Sequence, residues 1–187
     1  MHSITPSPVP PGSVPPAPVS SSAAAGVIPL RVAIADLAAL ASSTLEPLQK
    51  EARALDVTLT VDAPADVGPV SVDPEKVAWA IATLAGNALR YVRRGSRRRP
   101  GGDIAVRIRR KAGARMVTIS VEDDGPGIPA DKLSHLFERQ AGSQHAVGLG
   151  LTLVNDIVVA HGGTVRVDSS TGHRGCGTRV CMMLPTA

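Results

Sequence analysis

Val117-Thr118-Ile119-Ser120-Val121-Glu122-Asp123-Asp124-Gly125-Pro126-Gly127 is the stretch on which the reading of this chain turns. Val117, Ile119, Val121 and Asp123 alternate with other residues, so on a strand they share one face. Three are apolar and the fourth is a carboxylate at the strand's end. An acid beside an apolar layer suits a flat, mostly apolar ligand that offers one hydrogen-bond donor; an adenine with its exocyclic amine fits. The other reading is that Asp123 caps the turn that follows. In that turn, glycines on either side of Pro126 allow another group to approach the backbone closely.

Upstream, Ile104, Val106 and Ile108 also alternate, and Ala112-Gly113-Ala114 connects the two runs, which predicts an antiparallel hairpin. Before it, Asp73-Pro74 opens a helix: Asp is a good N-cap and Pro fits the first helical position. Val77, Ala80, Ile81, Leu84 and Ala88 form its buried stripe, and it should fail near Arg94-Gly95. On its surface Asn87, Arg90 and Tyr91 lie at i, i+3 and i+4 and face the same way. An amide oxygen can hold a hard cation, a guanidinium can meet phosphate, and a ring can cover a base. Each also has a plainer role: solvated Asn, helix-end Arg, half-buried Tyr.

Further upstream, Ile34, Leu37, Ala38, Ala41, Leu45, Leu48, Ala52 and Leu55 recur at spacings of three and four, which predicts a helix with Pro47 inside it. Val57, Leu59 and Val61 read as a strand. Residues 1–29 hold 8 of the 16 prolines and no charged residue, which predicts a disordered tail or linker ahead of a folded domain at 30–187.

Downstream, a short helix is expected around Ala130–Glu138, then a polar loop. Gly148-Leu149-Gly150-Leu151 opens another helix, where bare amides form an anion site. That helix stops at His161-Gly162-Gly163. Val165 and Val167 begin a strand, a Gly-rich turn runs from Gly172 to Gly177, and a last strand ends at Leu184. The predicted class is α+β: a mixed sheet with helices on one face.

Composition narrows the function. The 187 residues include one Trp, one Tyr and one Phe, so the core is aliphatic and a stacked-aromatic surface for single-stranded nucleic acid is excluded. No apolar run of about 18 residues predicts a membrane span, and the N-terminal residues lack a secretory pattern. Cys176 and Cys181 make neither a disulfide framework nor a zinc spacing, which points to a reducing cytoplasm. The net charge is +4, with six arginines within ten positions: Arg90, Arg93, Arg94, Arg97, Arg98 and Arg99. They read as a solvated loop, a polyphosphate contact or a surface for an acidic partner.

Taken in order, these segments resemble the catalytic ATP-binding domain of bacterial sensor histidine kinases. That domain belongs to the ATPase superfamily (GHKL, or HATPase_c) shared with DNA gyrase, the large heat-shock chaperone and mismatch-repair ATPases. Asn87-Ala88-Leu89-Arg90-Tyr91 is similar to the second half of the N box and Asp123-Asp124-Gly125-Pro126-Gly127 to the first glycine box. Leu136-Phe137-Glu138-Arg139 resembles the F box, Gly148-Leu149-Gly150-Leu151 the second glycine box, and Gly177-Thr178 through Leu184-Pro185 the closing strand.

The resemblance implies a two-layer α/β sandwich of the Bergerat type, with a mixed, mostly antiparallel sheet. It implies ATP and Mg2+ as cofactors. By the resemblance, Asp123 accepts from the adenine amine, Tyr91 lines the base pocket, and Gly125, Gly127, Ile128, Leu151 and Thr178 are ATP-binding as well. Asn87 holds the magnesium and is the catalytic residue. Arg90 and the amides near Gly148, Leu149 and Gly150 meet phosphate, under a lid at 139–147.

The implied reaction is transfer of the γ-phosphoryl group to a histidine on a separate or missing dimerisation domain, with a response regulator served indirectly. None of the five histidines has the phosphoacceptor context. Thr83 stands where the family carries Asn or an acid, Ala146 where it carries the first glycine of its loop, and Gln140 where Phe often closes the F box. Two alternatives stay open: a catalytically weak nucleotide-binding regulator of a partner kinase, and an anti-sigma-factor-type serine kinase.

Overall fold

The computed structural model describes residues 28–64, 67–96, 99–110, 113–133, 136–137, 149–172 and 175–186. The expected tail up to residue 27, the lid at 139–147, Gly148, Glu138, Arg139, Arg97 and Arg98 lie outside them.

The first element corrects an expectation. Ile34 does not start a helix stripe; Ala33–Asp36 is a strand, β1, and Ile34 is 71% exposed. Helix α1, Leu37–Ala54, begins only after Asp36, whose carboxylate accepts from the amides of Ala38 and Ala39 at 2.9 and 3.1 Å. The cap fixes the boundary because it satisfies amides that have no partner within the helix. Leu37, Ala41, Leu45 and Ala52 are buried, and the helix runs through Pro47. Strand β2, Thr58–Asp62, follows as expected. Strand β3, Pro69–Val72, is a further element that pairs antiparallel with β1.

Helix α2, Pro74–Tyr91, has Asp73 as N-cap and Pro74 in its first turn, and buries the expected stripe together with Ala85 and Leu89. It ends at Tyr91, short of the expected Arg94, because Val92 turns inward and is only 4% exposed. Strands β4, Asp103–Arg110, and β5, Met116–Asp123, form the predicted antiparallel hairpin.

Of the helix expected around Ala130–Glu138, the described residues show α3 at Ala130–Leu133, with Leu136 and Phe137 in a turn and Glu138 outside the described residues. No residue of α3 is buried, so little packing supports this short helix. Helix α4, Leu149–Ala160, ends at His161-Gly162, with Gly162 at φ 74. Strands β6, Thr164–Gly172, and β7, Gly175–Pro185, pair antiparallel. Gly175 and Gly177 therefore lie inside β7 rather than in a turn.

The main sheet has the order β2-β4-β5-β7-β6, with β2 parallel to β4 and the other pairs antiparallel. Its register builds rows of residues across the strands. Ile108, Ile119, Met182 and Val165 form one row; Val106, Val121, Val180 and Val167 form the next. Both join the buried stripes of α1, α2 and α4 in one apolar cluster. On the opposite face Glu122 forms ion pairs with Arg107 and Arg179. Alternation along each strand thus separates an apolar face under the helices from a charged face.

Two contacts align α2 with α4. At one end the amide of Asp73 donates to His161 Nε2 at 2.9 Å, while His161 Nδ1 lies 2.8 Å from the Ile157 carbonyl oxygen. At the other, a Cβ on Gly150 would sit 3.1 Å from the Thr83 methyl. The helices therefore run antiparallel, and the missing side chain at Gly150 lets them approach.

Candidate functional site

The next row of the sheet changes character. Ile104, Asp123, Thr178 and Ser169 face one another across β4, β5, β7 and β6. The apolar face thus ends in a carboxylate and two hydroxyls, and above that border lies a cavity of about 340 Å³. That volume falls in the range of about 300–1,000 Å³ common for small-molecule sites.

Helix α2 contributes Leu84, Asn87, Ala88 and Tyr91 to its wall. Val121 and Val180 lie beneath, with Asp123 and Thr178 beside them. The glycine turn supplies Pro126 to Pro129, and Leu151 closes the side toward α4. The lining is predominantly aliphatic with few polar groups, the pattern of a site that grips a flat apolar body and reads one edge.

Asp123 is the sole carboxylate among these lining residues. Its Oδ1 accepts from the Gly125 amide at 2.9 Å, which is the Asx-turn alternative, and the same residue faces the cavity. The turn-capping contact is therefore present, and it leaves the residue at the cavity wall. Burial pushes the carboxyl's pKa above the usual range, the amides of Gly125 and Thr178 oppose the shift, and neighbouring Asp124 adds to it.

Close backbone packing holds this end of the sheet together. Gly127 has φ 74, and a Cβ there would lie 2.0 Å from the Ser170 carbonyl oxygen. At Gly177, φ is 151 and a Cβ would lie 2.2 Å from the Asp123 carbonyl oxygen. Both glycines are required for the strands and the turn to meet around Asp123. Asp124 points the other way and accepts from the Asp103 amide at 2.8 Å.

Seven of the expected site residues line the cavity: Asn87, Tyr91, Asp123, Gly127, Ile128, Leu151 and Thr178. Gly125 stands behind Asp123 through its hydrogen bond. Arg90 is exposed and is not among the lining residues. Leu149 and Gly150 open α4, with Gly150 against Thr83.

Lys132 lines the cavity without having been singled out in the sequence, and Leu136, noted there only as part of the F-box resemblance, lines it too. Ser169 was missed too, although it accepts from the Ile128 amide at 2.8 Å and lies 3.0 Å from Thr178 Oγ1. Its strand position two residues beyond Val167 was the available signal, since it continues the inward-facing alternation.

The basic loop after α2 has a fixed base. Gly95 donates to the Leu55 carbonyl at 2.8 Å and Gly101 to that of Asp56 at 3.0 Å. Arg93, Arg94 and Arg99 in this loop are exposed, as is Arg90 in the last turn of α2. Among the described residues no three or more His, Cys, Asp or Glu side chains cluster as a metal site, and no helix is long and apolar enough to cross a membrane.

Comparison with known proteins agrees with this architecture. Residues 72–187 match the family model described as histidine kinase-, DNA gyrase B- and HSP90-like ATPase. The adaptive-response sensory kinase SasA of a Synechococcus species is 30% identical over 158 residues, which cover 82% of this chain and 40% of the relative. The sensor protein DivL of Caulobacter vibrioides is 33% identical over 150 residues, 80% of this chain and 18% of that protein. The chain thus spans two fifths or less of these relatives' length. Among solved structures, full-length ShkA in complex with AMPPNP superposes with a TM-score of 0.73 at 24% identity, covering 87% of this chain and 33% of that one. With more than half of its length matched, and with the sheet, the glycine turn and the cavity in place, this chain belongs to the histidine kinase-, DNA gyrase B- and HSP90-like ATPase family as a histidine-kinase-type catalytic ATP-binding domain.

Proposed function

We propose that residues 30–187 bind Mg-ATP in the 340 Å³ cavity and transfer its γ-phosphoryl group to a histidine on a separate phosphoacceptor protein or domain, in two-component signalling. The observation behind this reading is Asp123, a half-buried carboxylate at the border of an apolar floor, with room beside it for a base. A solved structural neighbour, ShkA, was crystallised with AMPPNP.

In this reading Asp123 accepts from the exocyclic amine of adenine. Tyr91, Ile128 and Leu151 enclose the ring. Asn87 would hold magnesium through its amide oxygen, and the ion, which binds oxygen ligands and keeps several waters, would supply charge neutralisation of the phosphates. Arg90 and the amides at the start of α4 neutralise phosphate charge. An imidazole nitrogen of the partner attacks the γ-phosphorus. The bond from that phosphorus to the β–γ bridging oxygen breaks, and ADP leaves. The domain's part is positioning and charge neutralisation, the main requirement of phosphoryl transfer. The exposed Arg93, Arg94 and Arg99 offer an acidic partner a docking surface, and the working compartment is the cytoplasm.

One observation favours the regulator as a second reading. Thr83 turns its methyl against Gly150, and its hydroxyl is a weaker metal ligand and base than the family's usual Asn or acid. Measuring binding and transfer separately distinguishes the two. Calorimetry with ADP should show magnesium-dependent binding, and label from γ-labelled ATP should reach a histidine-bearing helical hairpin protein. Tight binding with no transfer would select the regulator; no nucleotide binding would overturn both. Asn87→Ala should abolish the magnesium dependence of ATP affinity, and a variant that still needs magnesium for tight binding would remove that residue from the metal role.

A further inference from the structure

Ser169 makes three contacts with one hydroxyl. The Ile128 amide donates to its Oγ at 2.8 Å, its Oγ reaches the Gly177 carbonyl oxygen at 2.9 Å, and Thr178 Oγ1 lies 3.0 Å away. A serine hydroxyl has one proton and two acceptor lone pairs. An amide can only donate and a carbonyl can only accept. All three contacts are satisfied in one arrangement: Ser169 gives its proton to Gly177, accepts from Ile128 and accepts from Thr178. The Thr178 proton is thereby directed away from the cavity that Thr178 lines. What Thr178 Oγ1 presents there is lone pairs alone.

Asp123, its neighbour in the same cross-strand row, presents a carboxylate to the same space. Where these two residues meet the cavity, their side chains therefore present acceptors only. The amine at C6 of an aminopurine has two N–H donors, one for each acceptor, whereas an oxopurine has only its N1–H to give and sets its C6 carbonyl against the other acceptor. We infer that Ser169, which is not itself among the cavity-lining residues, is a positioning residue for base selectivity. By fixing the Thr178 hydroxyl as an acceptor it makes the site favour an aminopurine over an oxopurine. The inference rests on the nucleotide-binding reading above and names the device that sets its specificity. Ser169 also ties the glycine turn to β6 and β7, so the residue that orients the proton also holds the walls.

The test is the ratio of affinities for ADP and inosine diphosphate, measured by calorimetry on the full chain. In Ser169→Ala the Thr178 proton is free to rotate into the cavity and meet a C6 carbonyl. The preference for ADP over inosine diphosphate should then fall about five- to tenfold, the size of one neutral hydrogen bond. Ser169→Thr keeps the hydroxyl and should restore the ratio to within about twofold. Should the alanine variant fail to fold, Ser169→Cys carries the test: a thiol is a poorer acceptor, so the ratio should shift the same way by less. A purely structural role predicts that both affinities drop together and the ratio stays put; that result, or a threonine variant no better than alanine, overturns the inference alone. A wild-type chain that binds neither nucleotide overturns the nucleotide reading and this inference with it.

Discussion

Asp73 and Asp123 both stand at the border of the same core, one at each end of the α2 region, and they are treated in opposite ways. Asp73 is 1% exposed. Burial alone would push its pKa up, but the Lys76 ammonium and the amides of Arg31 and Lys76 donate to it and hold it well below the ordinary carboxylate range. Its own amide goes to His161. Every polar group there has a partner within the chain, and the result joins α2, α4 and the residues before β1. Asp123 receives two backbone amides and no cation, and burial wins: its pKa is raised. A carboxylate saturated by donors stabilises a fold, whereas one left short of donors beside a cavity is available to a ligand.

The contrast breaks first at the glycine that lets the cavity's strands meet. Gly177→Ala puts a methyl against the Asp123 carbonyl, so the unfolding free energy should fall by about 3 kcal/mol in urea titration. A loss too small to measure would mean that β7 can shift without disturbing Asp123.

The next largest effect is in binding. Asp123→Asn should weaken ADP affinity about ten- to a hundredfold, the span expected for losing a charged hydrogen-bond acceptor. Its unfolding free energy at neutral pH should not fall, because the charge it removes is one that burial disfavours. Asp73→Ala should do the reverse. Losing a helix cap whose carboxylate is also buried and paired should lower stability by about 2 kcal/mol, and calorimetry should find ADP affinity within about twofold of wild type. If both variants lost binding equally, the division between a structural and a binding aspartate would collapse.

The smallest effect is in pH. A lowered folded pKa means that Asp73's contribution is complete above the unfolded carboxylate value of about 3.9 and fades as pH falls below it. A raised folded pKa means the opposite for Asp123: its ionisation weakens the fold as pH rises from about 3.9 through its folded value. Between pH 7 and pH 3, the stability gap between wild type and Asp73→Ala should narrow. Any stability advantage of Asp123→Asn should shrink over the same range. Gaps that stayed constant would contradict these directions.

Much of this was legible in the residues. Signals that act within a few positions came through: the Asp73-Pro74 start of α2, the alternation of β4 and β5, the glycine stop after α4. The Val117–Asp123 strand placed one acid over an apolar layer, and the structure keeps it there. Signals depending on distant parts of the chain did not. Strand β1 was hidden because Ile34 happens to extend the helical spacing of α1, and its partner β3 lies more than thirty residues away. The importance of Ser169 was likewise invisible, and Gly177 was noted without its reason, since each matters for what it faces on another strand.

The sequence by itself determined the main helices and the five strands of the large sheet, which face of each is apolar, and that an acid ends one apolar strand beside a glycine turn. Those properties come from caps, periodicity and backbone freedom, which operate over one turn or one strand. The tertiary structure alone decided that Ile104, Asp123, Thr178 and Ser169 form a single row, and that Asp73 is closed off while Asp123 faces a cavity. Register between strands far apart in the chain is set by how their apolar faces pack together, and a linear reading holds no record of it.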